Sequence, residues 1–237
     1  MPVITFANAK GGAGKTTAAL ILATELAAQG YRVTILDADP QRWISRWHEL
    51  SGVQRNLSVI SEVSMGSLQS HLRENRDNTD YFIVDLAGAR DALVATAIGL
   101  SDHVMIPIQG CAMDAHGGAQ ILELLQQLDQ RAGVRIEHSV VLTRMSAVVT
   151  TRAMVAIKQL LAERGVTVLD TAISERAAFR DIFDCGGTLR TMDPLRVSNL
   201  DKARENARLL AEEVLRLVPA RRTSTSRVLY QRLARAA

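Results

Sequence analysis

The strongest constraint on the fold stands at the start of the chain. Val3-Ile4-Thr5-Phe6-Ala7 is an apolar, β-branched run. It leads directly into Lys10-Gly11-Gly12-Ala13-Gly14-Lys15-Thr16-Thr17, and an alanine- and leucine-rich segment follows as far as Gln29. A strand, a glycine loop and a helix in that order leave few architectures open. Glycines lack Cβ, so the main chain can wrap closely around a phosphate with its N–H groups turned inward. The start of the helix adds a dipole that favours the same anion. Lys15 is spaced to reach β- and γ-phosphates, and the Thr16 hydroxyl to ligate magnesium, so the loop predicts ATP with Mg2+ as its ligand. Position 9 is Ala, so the strict GxxxxGK[ST] pattern fails at its first glycine, and Lys10 stands ahead of the glycines as an additional cation.

Short apolar runs alternate with longer helical patterns along the rest of the chain. This predicts an α/β fold: a doubly wound, mostly parallel sheet with helices on both faces. Strands are expected at Val3–Ala7, Val33–Asp37, Leu57–Ile60, Tyr81–Asp85, Val104–Ile108, Ser139–Thr143 and Val166–Leu169. Helices are expected at Thr16–Gln29, Asp91–Gly99, Asp114–Arg131, Arg152–Arg164 and Asn199–Leu217. Gly30 suits the left-handed residue that ends the first helix. The 237 residues fit one ATPase domain over 1–218, with 219–237 as a basic tail beginning at the Pro-Ala-Arg-Arg-Thr-Ser-Thr-Ser stretch.

No run approaches the roughly 18 apolar residues that span a bilayer, and no leader pattern opens the chain, so a cytoplasmic protein is expected. Cys111 and Cys185 are far apart with no CxxC spacing. That spacing argues against a disulfide scaffold and a zinc site, and both read as buried or idle thiols. The five histidines show no metal-ligand spacing. Trp43 and Trp47, four apart, would share one helical face as a core or dimer-interface stripe.

The segment Lys10–Thr17 resembles the deviant Walker A loop of the ParA/MinD group of P-loop ATPases. Ile35-Leu36-Asp37-Ala38-Asp39-Pro40-Gln41 is similar to that family's DxDPQ segment, and Tyr81-Phe82-Ile83-Val84-Asp85 to its Walker B strand. The likeness continues through Val104-Met105-Ile106-Pro107-Ile108-Gln109 and, more loosely, Ile173-Ser174-Glu175-Arg176. It is greatest with short ParA-type partition ATPases lacking an N-terminal helix-turn-helix region. The resemblance implies that Lys10 reaches across an ATP-dependent homodimer to the partner's nucleotide, and that Asp39 positions the attacking water. Asp37 and Asp85, at strand ends, would hold magnesium with Thr16. Two departures stand out. Asp85 is followed by Leu86-Ala87-Gly88-Ala89-Arg90, without the family's proline, which leaves Gly88 as the γ-phosphate sensor. Thr143-Arg144 occupies the place of a residue pair near the base, where the Arg144 guanidinium could stack on adenine or lie in solvent.

Net charge is only +3, yet Arg216 to Ala237 holds six arginines and no acidic residue. Such a tail suits an anionic partner or a solvated terminus. The resemblance implies a partition ATPase on the nucleoid. Arg176, Arg180, Arg204, Arg208, Arg216, Arg221 and Arg222 would bind DNA non-specifically, and a centromere- or cargo-bound adaptor would stimulate hydrolysis and release. The alternative is a MinD-like membrane cycler, with Arg227 to Ala236 as a short amphipathic helix whose weak apolar face would grip a bilayer poorly. Cluster-binding relatives need cysteines that this chain does not place.

Overall fold

The computed structural model describes residues 1–220 except 53, 90, 110–111 and 147–151, and within helices it leaves the side chains of 112–115, 152–154 and 157 undescribed. Arg90, Cys111, Arg221, Arg222 and the amphipathic segment from Arg227 lie outside the described residues. Seven strands form one parallel sheet: β1 (Val3–Phe6), β2 (Val33–Ala38), β3 (Leu57–Ile60), β4 (Tyr81–Leu86), β5 (His103–Gln109), β6 (Glu137–Thr143) and β7 (Thr167–Val168). Their spatial order is β3-β2-β4-β1-β5-β6-β7, with every paired neighbour parallel. β1, β2 and β4 are buried at every position, as strands covered on both faces must be.

Among the described residues eight α-helices cover the sheet: α1 (Lys15–Ala28), α2 (Trp43–Ser51), α3 (Leu68–Glu74), α4 (Ala92–Gly99), α5 (Ala112–Ala132), α6 (Arg152–Glu163), α7 (Ala178–Cys185) and α8 (Leu200–Leu217). One apolar cluster gathers α1, α2, α7 and α8 on one face of the sheet. A second gathers α3, α4, α5 and α6 on the other. α1 is apolar nearly all round because it lies between the sheet and α8. It ends in a Schellman motif: Gly30 adopts φ 88°, its N–H donates to the Ala27 carbonyl, and the Tyr31 N–H donates to that of Leu26. Among the described residues no helix is long and apolar enough to cross a membrane.

The structure departs from the sequence reading at short elements. α2, α3 and α7 have nine, seven and eight residues, too few turns for a helical period to declare itself. β7 shrinks to two residues, and beyond it the chain runs beside β6 as a looser extension. There the Ile173 N–H donates to the Leu142 carbonyl at 2.7 Å and the Glu175 N–H to that of Met145 at 2.8 Å. The two tryptophans also part company. Trp47 is fully buried and donates its indole N–H to the Gly187 carbonyl at 2.8 Å, whereas Trp43 is half exposed beneath the Arg46 guanidinium. Cys185 is an exposed free thiol rather than a buried one.

Register decides where chemistry can occur. Phe6 and Asp37 both pair with Asp85, so the C-terminal ends of β1, β4 and β2 lie side by side. In an open parallel sheet that is the end at which ligands bind.

Candidate functional site

The loop leaving β1 is shaped from several sides. Gly12 and Gly14 take φ values of 78° and 91°, a region that costs L side chains energy, and Gly14 caps α1. A Cβ at Gly14 would press against Thr143 at 3.3 Å, and the Thr143 hydroxyl donates to the Ala13 carbonyl at 2.8 Å. Gln109 donates its amide N–H to the Gly12 carbonyl. A Cβ on Gly88 would stand 2.6 Å from the Gly11 nitrogen, so the segment after Asp85 touches the loop only because glycine is there. The ends of β5, β6 and the segment after β4 thus hold the main chain of the cradle.

Lys15, the first residue of α1, is buried, and its ammonium donates to the Lys10 carbonyl at 3.2 Å. Burial lowers its pKa, while the charges of Asp85 and Asp39 oppose that shift. Asp85 shows the strongest perturbation nearby. Burial pushes its carboxyl up to about 8, reinforced by the negative charges of Asp37 and Asp39; Thr16 and Lys15 pull the other way. Thr16 approaches without reaching hydrogen-bond geometry, so both Asp85 oxygens are buried and unpartnered among the described residues. Such a carboxylate is costly unless a cation compensates it. Asp37, also buried, accepts the Ser45 N–H at 2.8 Å and the Ser45 hydroxyl at 2.5 Å, both on Oδ2. Asp39 follows the last residue of β2 and accepts the Gln41 N–H at 2.8 Å.

Among the described residues, no three His, Cys, Asp or Glu converge on one point. A divalent ion here would therefore take few protein ligands and complete its shell with phosphate oxygens and water, as magnesium does. The donor set of Thr16, Asp85 and Asp37 fits that ion.

Beside the loop, Gly14, Thr17, Thr143, Arg144, Ser174 and Arg176 line a small pocket together with Phe179 and Arg180. Arg144 has a left-handed backbone, φ 50°, and lies 3.9 Å from Glu175, which also pairs with Arg180. The pocket is therefore bordered by two arginines tied to one carboxylate. The Arg176 Nε is buried with no partner among the described residues.

The arginines of α8 are engaged differently. Arg204 donates to the carbonyls of Leu189, Arg190 and Met192 and pairs with Asp201 at 3.2 Å, pinning the α7–α8 loop. Arg208 is bracketed by Glu205 and Glu212, which raise its pKa. Arg216 is exposed near the end of the helix.

Sequence reading missed two residues that hold this site together. Ser45 anchors Asp37 from the first turn of α2, a contact across the loop that no local motif announces. Asn8, buried beside the signature loop, accepts the Lys10 N–H at 2.8 Å; an asparagine two residues before the donating N–H was the only available hint.

Comparison with known proteins agrees with this geometry. The family model described as VirC1 protein matches residues 1–229. Protein ParA of Rhizobium radiobacter is 36% identical over 216 residues, which cover 91% of this chain and 97% of that protein. The Cyanothece McdA(D38A)–ATP complex superposes with a TM-score of 0.71 at 19% identity, covering 90% of this chain and 96% of that one. The MinC:MinD cell division complex of Aquifex aeolicus gives 0.71 at 20% identity, covering 94% and 99%. The phosphate cradle, the carboxylates at adjacent strand ends and these likenesses agree: the chain belongs to the VirC1 protein family, among the ParA/MinD-type partition ATPases with the P-loop fold.

Proposed function

We propose that this protein is a DNA partition or positioning ATPase that dimerises on ATP, binds duplex DNA without regard to sequence, and lets go when a cargo-bound adaptor stimulates hydrolysis. The observation that carries the ATPase reading is the buried, unpartnered Asp85 carboxylate beside the Lys10–Thr17 cradle. In this reading Lys15 and the loop N–H groups bind the triphosphate. Thr16, Asp85 and Asp37 hold magnesium, directly or through water. Magnesium, when bound, neutralises phosphate charge and so lowers the barrier to attack at the γ-phosphorus. Asp39 accepts a hydrogen bond from the attacking water and holds it in line. Lys10 of one protomer neutralises charge developing on the phosphoryl group held by the other. Arg144 packs against the base.

DNA binding would come from Arg176, Arg180, Arg204, Arg208 and Arg216, together with Arg221 and Arg222. Because Arg204 and Arg208 have partners within the chain, Arg216 and the residues after it carry the larger share in this reading. Dimerisation doubles the contacts, so nucleotide state switches binding through avidity without reshaping the surface. Contacts to phosphates make affinity insensitive to sequence and steeply dependent on salt.

The test runs DNA mobility shift and liposome co-sedimentation in parallel on the full chain and on a chain ending at residue 218, with ATP and magnesium. The expected result is an ATP-dependent shift at low salt that weakens on truncation. Strong liposome binding without a DNA shift would replace this reading with a membrane-cycling one.

A further inference from the structure

The main chain at Lys10 is held on both sides. Its N–H donates to Asn8 Oδ1 at 2.8 Å, and its carbonyl accepts the Lys15 ammonium at 3.2 Å. Asn8 is itself anchored elsewhere: its amide N–H donates to the Pro107 carbonyl at 2.6 Å, near the end of β5. The roles of both partners are fixed. A main-chain N–H can only donate and a carbonyl can only accept, so the Asn8 amide has a single orientation that satisfies both. Aspartate would repel the Pro107 carbonyl, and a hydrophobic residue would leave both groups unmet. Asn8 is 1% exposed, so water cannot substitute for either contact.

α5 closes the same corner. The Ala9 N–H points at the Gly117 carbonyl at 3.4 Å. A Cβ at Gly117 would stand 2.2 Å from Asn8 Oδ1 and 2.8 Å from the Lys10 Cβ. The helix can approach Lys10 this closely only with glycine at that turn. None of these contacts touches the phosphate-facing Gly12–Gly14 stretch, which is held instead by Gln109 and Thr143. Asn8 and Gly117 therefore support the Lys10 end of the loop, Gln109 and Thr143 support the Gly12–Gly14 stretch, and the Lys15 ammonium links the two.

The geometry points to Asn8 as the positioning residue for Lys10, with Gly117 as the gap that admits it: together they fix the direction in which the Lys10 side chain leaves the loop. This inference rests on the catalytic role proposed above for Lys10. A displacement on the order of 1 Å in a group acting on the transition state can cost about 10²-fold in rate, even where ground-state binding is little changed.

The test measures basal ATP turnover and equilibrium binding of a fluorescent ATP analogue on the full chain for Asn8→Ala, Asn8→Ser, Gly117→Ala, Lys10→Ala and the double variant Asn8→Ala/Lys10→Ala. Asn8→Ala and Gly117→Ala are expected to lower kcat by about 10- to 100-fold while analogue affinity stays within about threefold. Retained affinity also shows that each variant is folded. Asn8→Ser, whose hydroxyl can still accept the Lys10 N–H, should recover part of the lost rate. The double variant should be no slower than Lys10→Ala alone, because Asn8 acts through that lysine. Losses that multiply in the double variant, or an affinity loss as large as the rate loss, would overturn the inference in favour of a purely structural role. A slow Lys10→Ala beside a normal Asn8→Ala would remove the Asn8 inference alone. A Lys10→Ala that turns over like the parent would remove the catalytic reading of Lys10 on which it stands.

Discussion

The phosphate loop and the last helix are both rich in charge, but they use it in opposite ways. Around the loop, charges are buried and incompletely compensated. Asp85 has no hydrogen-bond partner among the described residues, and burial pushes it up to about 8 while lowering Lys15. On α8 two of the arginines are already answered within the chain: Arg204 by three carbonyls and Asp201, Arg208 by two glutamates. Uncompensated charge in a buried place points to a ligand that completes it. Compensated charge on a surface is mostly structure and contributes little to a long-range field. Counting arginines along α8 overstates what that helix offers an anion, whereas the buried Asp85 beside the loop calls for a compensating cation.

The largest effect that could break this contrast lies at Lys15. Lys15→Ala is expected to abolish measurable binding of a fluorescent ATP analogue, a loss of at least about 10²-fold, because a buried charge-assisted contact to phosphate disappears. Binding within a few-fold of the parent would mean that the cradle is not the nucleotide site. Lys10→Ala sharpens the distinction inside the loop. Turnover should fall on the order of 10³-fold while analogue binding stays nearly unchanged, as for a cation that acts in the transition state. Parallel loss of both properties would merge the two lysines into one role.

Asp85 gives a pH test. Its carboxyl is raised in the fold above its ordinary value near 3.8, so the folded chain binds more protons than the unfolded one between those values. Stability from this group is full below about 4 and is lost as pH rises through about 8. Asp85→Asn removes the buried charge. Nucleotide-free Asp85→Asn should therefore melt higher than the parent at pH 8.5, with the gap narrowing toward pH 5. A constant gap across that range, read by thermal denaturation, would show that Asp85 is not held in this way.

The smallest effect belongs to α8. Arg204→Ala should cost about 1–2 kcal/mol of stability through the freed carbonyls of the α7–α8 loop. It should leave the salt slope of DNA binding nearly unchanged, whereas Arg216→Ala should lower that slope by about 1. Denaturant melts and shift assays at several salt concentrations separate the two arginines. A drop in slope from Arg204→Ala as large as that from Arg216→Ala would put Arg204 on phosphate.

These contrasts explain what could be read from the chain alone. The sheet was legible because β1, β2 and β4 are apolar runs, two of them carrying near their ends the carboxylates proposed to hold magnesium, Asp37 and Asp85. α1 was legible because Gly14 and Gly30 bracket it. α3 and α7 were not, since seven or eight residues barely complete two turns. The supports of the site were hidden for another reason. Asn8 meets Pro107 across 99 residues, Thr143 meets Ala13 across 130, and only the strand order brings them together. The partners of Arg204 are main-chain carbonyls of a loop, which sequence does not distinguish from any others.

The account turns on whether two chains close on ATP, since the roles of Lys10 and of avidity in DNA binding exist only between protomers. Sedimentation velocity of Asp39→Ala with ATP and magnesium tests this directly, because on the role proposed for Asp39 the substitution would stall hydrolysis while leaving Lys15 and the loop in place. A stable dimer is predicted, reverting to monomer when ADP replaces ATP and absent in Asp39→Ala/Lys15→Ala. A monomer at every concentration with saturating ATP would contradict the account.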